Sequence, residues 1–152
     1  MTLSPLVSAL ARPAAPTSKP RRIGAVVLGA FLAFAGTSHL TFARQEFQAQ
    51  VPEWVPVDDD VVVVLSGIAE LGFGAALILL RKRRIPVGLA VAAFFVAIFP
   101  GNISQYVTHT DAFGLNTDRD RLVRLFFQPL LVLWALWSTG AWKGLREALK
   151  KG

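Results

Sequence analysis

Glu70 is the one charge in an otherwise apolar stretch, Val61 to Leu80. An acidic side chain at mid-helix in a membrane costs roughly 2.5–3.5 kcal/mol on insertion scales. Partners, a function, or both must offset that cost. Ser66, Glu70 and Gly74 fall at i, i+4 spacing, so they share one helical face. Three further apolar stretches carry polar groups able to meet that face. His39 stands near the end of the first. Asn102 and Gln105, spaced i, i+3, stand late in the third, and Arg124 and Gln128, spaced i, i+4, stand early in the fourth. Carboxyl and imidazole groups move protons, while guanidinium and amide groups bind oxygen acceptors. Together, His39, Ser66, Glu70, Asn102, Gln105, Arg124 and Gln128 predict one ligand-binding or proton-handling pocket. Glu70 would be its floor and Arg124 the counter-ion; no catalytic residue is assigned.

Each member also fits a structural role. Arg124 can snorkel to the membrane surface, and His39 can be an interfacial histidine without a ligand. Asn102 can cap a helix broken at Pro100. Gln128 can tie helices together, and Glu70 can be a neutral, hydrogen-bonded acid. His39 and His109 lie at no metal-ligand spacing, so no metal is expected. The absence of cysteine excludes disulfides, thiolate metal sites and thiol exchange by this chain. No Gly-rich phosphate loop, nucleophile elbow or haem motif occurs.

The elements that must hold these residues are long and apolar. The 152-residue chain is 53% hydrophobic and only 17% charged, against roughly 25% charged in soluble domains. Ile23 to Ala43, Val61 to Leu80, Ile85 to Thr110 and Leu122 to Trp142 each exceed or match the length of about 20 residues that crosses a hydrocarbon core. They are apolar nearly all round, unlike the one-sided helices of a soluble core. Strands would leave backbone groups unpaired in lipid, and the alternation of a barrel is missing. The expected fold is all-α: an up-down four-helix transmembrane bundle with spans at about 23–42, 61–80, 85–105 and 122–140. Residues 1–22 are expected as a disordered basic arm and residues 141–152 as a basic amphipathic tail. Pro100-Gly101 should kink or end the third span, Asp58-Asp59-Asp60 should cap the second, and the short loop 81–84 should make spans two and three neighbours. The glycines and alanines of span two suit close helix approach. A cleaved signal peptide ending near Ala33-Phe34-Ala35 is a rival for the first span, although the apolar run continues past it.

Charge placement sets orientation. Arg12, Lys19, Arg21 and Arg22 precede the first span, Arg81-Lys82-Arg83-Arg84 joins the second to the third, and Lys143, Arg146, Lys150 and Lys151 follow the fourth. Basic residues in short loops stay cytoplasmic, so both termini should be cytoplasmic. The acids gather on the other side, in 46–60 and 111–120. The net charge of +6 is thus a topology signal rather than a nucleic-acid footprint, and the basic segments should also attract anionic lipid. Trp54, Trp134, Trp137 and Trp142 are expected as interface anchors.

The ordered set His39, Pro52-Glu53-Trp54-Val55-Pro56, Ser66-Gly67-Ile68-Ala69-Glu70, Phe99-Pro100-Gly101-Asn102-Ile103 and Arg124-Leu125-Phe126-Phe127-Gln128 resembles the DoxX-like family of small four-helix membrane proteins. The resemblance covers about residues 23–140. Gly101 stands where many members have a small residue such as alanine. It implies a four-span bundle in the bacterial plasma membrane, with family polar positions at His39, Glu70, Asn102, Arg124 and Gln128. Some relatives are linked to quinone-dependent sulfur oxidation or act as membrane partners of redox enzymes. The leading expectation is a polar intramembrane pocket near the outer face for a quinone-like or other amphipathic molecule. With no cofactor of its own, the chain would act as a subunit of a membrane oxidoreductase rather than as an enzyme alone. A non-catalytic subunit docking a partner enzyme is the alternative, with homo-oligomers allowed. A small transporter is less well supported because inverted repeats are absent.

Overall fold

The computed structural model describes Val7 and residues 10–150. Six helices and one 3-10 turn are described, with no strand among those residues. They are α1 (Lys19–Leu40), α2 (Arg44–Gln48), α3 (Asp59–Leu79), the turn Arg81–Arg83, α4 (Arg84–Val107), α5 (Asp118–Thr139) and α6 (Ala141–Lys150). Four of them, α1, α3, α4 and α5, are long and apolar enough to cross a membrane.

Local chemistry explains the ends. Pro20 lies in the first turn of α1, where a missing N–H costs nothing, so the helix starts at Lys19, ahead of the expected 23. Part of the expected arm lies outside the described residues. The rest is engaged with the basic turn: the Ala14 N–H donates to the Lys82 carbonyl at 2.8 Å, and Arg84 donates to the Ala15 carbonyl at 2.6 Å. Asp58 caps α3 as expected, accepting from the Asp60 and Val61 N–H groups at 3.0 and 3.4 Å. Thr117 caps α5 in the same way, and Gly140, at φ +71°, ends it in the left-handed region that glycine enters freely.

Pro100 does not end α4, which runs on to Val107. Proline deprives the Val96 carbonyl of its helical donor. The neighbouring Phe95 carbonyl receives a side-chain donor instead, Gln128 Nε2 at 2.8 Å.

The helices pack as two close pairs. A methyl group added at Gly36 would lie 2.6 Å from the Gly67 carbonyl, and one at Gly74 would lie 2.6 Å from that of Gly29. The backbones of α1 and α3 therefore touch over two turns, as small-residue helices do in lipid. The second close pair is α4 with α5. By contrast, α3 and α4 meet sparsely despite the short turn between them. The turn fixes only their ends, while the glycine stripe draws α3 towards α1. Leu28, Leu32, Leu77, Val91, Phe95 and Ala135 form the shared core. Apolar side chains also cover the outside, with Phe34, Leu65, Ile68, Val96, Phe126 and Leu133 exposed. A helix apolar on both faces suits a lipid surround.

Candidate functional site

All of the expected pocket members but Gln105 line one cavity. It has a volume of about 600 Å³ and is lined by His39, Ser66, Glu70, Asn102, Arg124 and Gln128, among mostly apolar neighbours. All four long helices contribute to its wall, from Phe31 and His39 on α1 to Arg124 and Trp134 on α5. Phe47, Gln50, Pro52, Trp54 and Val55 complete its wall from the 41–58 segment. Trp54 lines it while remaining 72% exposed.

Glu70 is 4% exposed. Its nearest ionisable partner is His39, with Nδ1 2.9 Å from Oε2. The same Nδ1 lies 2.9 Å from the Ala35 carbonyl, one turn back on α1, in good hydrogen-bonding geometry. A carbonyl only accepts, so Nδ1 carries the proton and directs it there. Glu70 Oε2 is left as a buried side-chain oxygen without a hydrogen-bond partner among the described residues. His39 is fixed from its other side by Phe47, whose ring stacks on it at 3.3 Å between centroids and 14° between planes.

Arg124 is not the counter-ion of Glu70, as the sequence led us to expect. Its guanidinium donates to Gln50 Oε1 at 3.2 Å and Gln105 Oε1 at 3.4 Å, and lies 4.7 Å from the centre of the Phe113 ring. No carboxylate pairs with it among the described residues. Cation–π contact and two amide oxygens hold the charge.

Gln105, only 1% exposed, belongs to this scaffold and not to the cavity wall. It accepts from Gln50 Nε2 at 2.6 Å and donates to the Thr110 and Ala112 carbonyls, both at 3.3 Å. Asn102 does not cap a broken helix. It donates to Gln128 Oε1 at 2.9 Å, and Gln128 passes the connection to the Phe95 carbonyl. Ser66 reaches the cavity from the face it shares with Glu70.

A second polar cluster ties the 41–58 and 108–117 segments in place. Arg121, 5% exposed, pairs with Asp111 and with Asp118, the latter at 2.8 Å. His109 reaches Asp118 at 2.7 Å. Glu46 accepts the Phe113 N–H at 2.6 Å, joining α2 to the 108–117 loop. Arg44 pairs with Asp60 through two donors, and that carboxylate raises the already high pKa of the Arg44 guanidinium.

The tryptophans divide. Trp54, Trp137 and Trp142 are exposed. Trp134, expected as an anchor, turns inward: its indole N–H donates to the Gly24 carbonyl at 3.0 Å and its ring lines the cavity.

Reasoning from sequence missed Gln50, Phe47, Phe113 and Arg121. The first three lie in segments that read as loops, with no spacing to a span residue. For Arg121 a signal existed, its i+3 spacing from Asp118.

Four long apolar helices around a cavity with an acid, an imidazole and a guanidinium define a helical membrane-type protein with an internal polar site. The family described as a domain of unknown function (DUF8561) matches residues 28–139, a span that includes every one of these site residues, and the chain belongs to that family. No curated protein and no solved structure matches the chain.

Proposed function

We propose that this is a DoxX-like integral protein of a bacterial plasma membrane, an up-down bundle with both termini cytoplasmic. In that reading its cavity lies near the outer face and binds a quinone-like amphipathic molecule in a redox-linked role. The supports for the membrane part are the apolar exterior and the gathering of basic residues at one end of the helices. The observation that carries the ligand part is Glu70 Oε2, a buried oxygen at the cavity with no aligned donor among the described residues. Leaving such a group unpaired costs about 1–3 kcal/mol, and a ligand hydroxyl would satisfy it.

The chemistry open to the chain is proton handling. Reduction of a quinone to a quinol takes up two electrons and two protons. Glu70 is the group placed to pass a proton to or from an oxygen in the cavity, with the His39 imidazole beside it. The electrons would come from a partner redox enzyme. The exposed basic residues of α6, Lys143, Arg146 and Lys150, favour the second reading, a subunit that docks such a partner.

Purification from membranes in gentle detergent, organic extraction and mass spectrometry test the proposal. One amphipathic compound should be recovered in near-stoichiometric amount from the wild type, and about tenfold less from Glu70→Gln. Equal recovery from both would end the ligand reading. A stoichiometric protein partner with no small molecule would favour the docking subunit instead.

A further inference from the structure

Beside the polar cavity runs an aromatic groove with no part in the chemistry above. It is a second cavity of about 500 Å³ between α1 and α5, with Phe34, Phe42, Phe113, Leu115 and Val123 in its wall. Phe34, Phe42 and Phe127 are 65%, 73% and 58% exposed, so the groove opens to the surroundings on the apolar outside of the bundle. Phe31, Ala35, Phe47, Arg124 and Phe127 line both cavities. A single layer of side chains therefore divides the groove from the Glu70 chamber.

Arg124 stands in that layer, paired with no carboxylate among the described residues and over the ring of Phe113. A guanidinium placed so can still hydrogen-bond an ester, carbonyl or similar oxygen passing between the chambers. A groove beside lipid would by itself say little, since any chain can lie in it. Continuity with a polar chamber through a cation gives it a direction.

We infer that the ligand is a tailed lipid: its hydrogen-bonding head meets Glu70, and its hydrocarbon tail leaves past Arg124 into the aromatic groove between α1 and α5. The inference rests on the proposed function and adds the tail and the lateral route to it. The tail gains little by leaving lipid, which is as apolar as the groove. What holds it there is the head, whose anchoring beside Glu70 raises the tail's effective concentration at the groove. Head and tail are thus both needed: a bare chain has no reason to prefer the groove, and a bare head reaches only the chamber.

Photolabelling of the full chain in mild detergent tests this with three diazirine probes: hexadecylphenol, ethylphenol and hexadecane. Labelled residues are read by peptide mass spectrometry. Hexadecylphenol is expected to label both the chamber and the groove residues around Phe34 and Val123. Its groove labelling should exceed that of hexadecane by about fivefold. Ethylphenol should label the chamber alone. Filling the groove with Val123→Trp or with Leu115→Trp, each checked for an unchanged melting temperature, should remove the hexadecylphenol groove signal and spare ethylphenol labelling. Equal groove labelling by hexadecane, or an undiminished signal in both filled variants, overturns the inference while leaving the Glu70 site standing. Failure of both phenols to label any chamber residue overturns the proposed function itself.

Discussion

At Glu70 the geometry separates two protons that are easily confused. One sits on His39 Nδ1 and is committed to the Ala35 carbonyl; the other is whatever donor satisfies Glu70 Oε2. Glu70→Gln keeps the size of the side chain but removes its proton exchange. A buried group left without its hydrogen bond costs about 1–3 kcal/mol, so ligand affinity should fall roughly fivefold to a hundredfold, read by titration of the purified protein in native mass spectrometry. Arg124→Met makes a contrasting prediction. It leaves the Gln50 Oε1 acceptor without its donor, so stability should drop by about 1–3 kcal/mol, seen as a lower melting temperature in detergent. The cast of this site was legible because a charge inside an apolar run is rare enough to single out. Its pairing was not. Opposite charge and similar depth made Arg124 look like the partner of Glu70. What holds Arg124 instead are Gln50 and Phe113, supplied by segments whose composition reads as solvent loop.

At the scale of elements, the two helix pairs rest on contacts of different kinds. Gly36 and Gly67 let α1 and α3 meet backbone to backbone. Gly36→Leu would drive a side chain into the Gly67 carbonyl, and overpacking of this sort costs about 1–3 kcal/mol. Thermal unfolding should show that loss, whereas Gly72→Leu, with no neighbour within 4 Å of an added methyl, should melt as the wild type does. The long helices were legible from apolar length, and the Asp58 cap from residue type. The expected third span, 85–105, already runs past Pro100; what was not legible is that Gln128 serves the Phe95 carbonyl there, because proline marks a missing donor but not the side chain that serves the carbonyl beside it. The sparse α3–α4 seam was also hidden. A short turn says that two helices are joined, and only the packing of Gly29, Gly36, Gly67 and Gly74 says which partner α3 prefers.

For the molecule as a whole, the lack of cysteine makes topology easy to read, since each introduced thiol is unique. With both termini cytoplasmic, Lys82→Cys and Lys143→Cys in intact cells should resist a membrane-impermeant maleimide, while Glu53→Cys and Asn116→Cys should react. The reverse pattern would invert the bundle and move the cavity to the cytoplasmic side. The apolar exterior and the segregated charge were readable along the chain as simple composition. The tying of the 41–58 segment to the 108–117 loop through Glu46 with Phe113, and to α4 through Gln50 with Gln105, was not, because Glu46, Gln50 and Phe113 lie far from their partners in parts of the chain without periodicity.

The most direct test of the account is whether the Glu70 carboxyl meets the ligand. Infrared difference spectroscopy of the reconstituted protein, before and after addition of a long-chain quinol, reads that group's own C=O stretch. A carboxyl band is expected to shift on binding in the wild type and to be missing in Glu70→Gln. Identical difference spectra from the two proteins would contradict it.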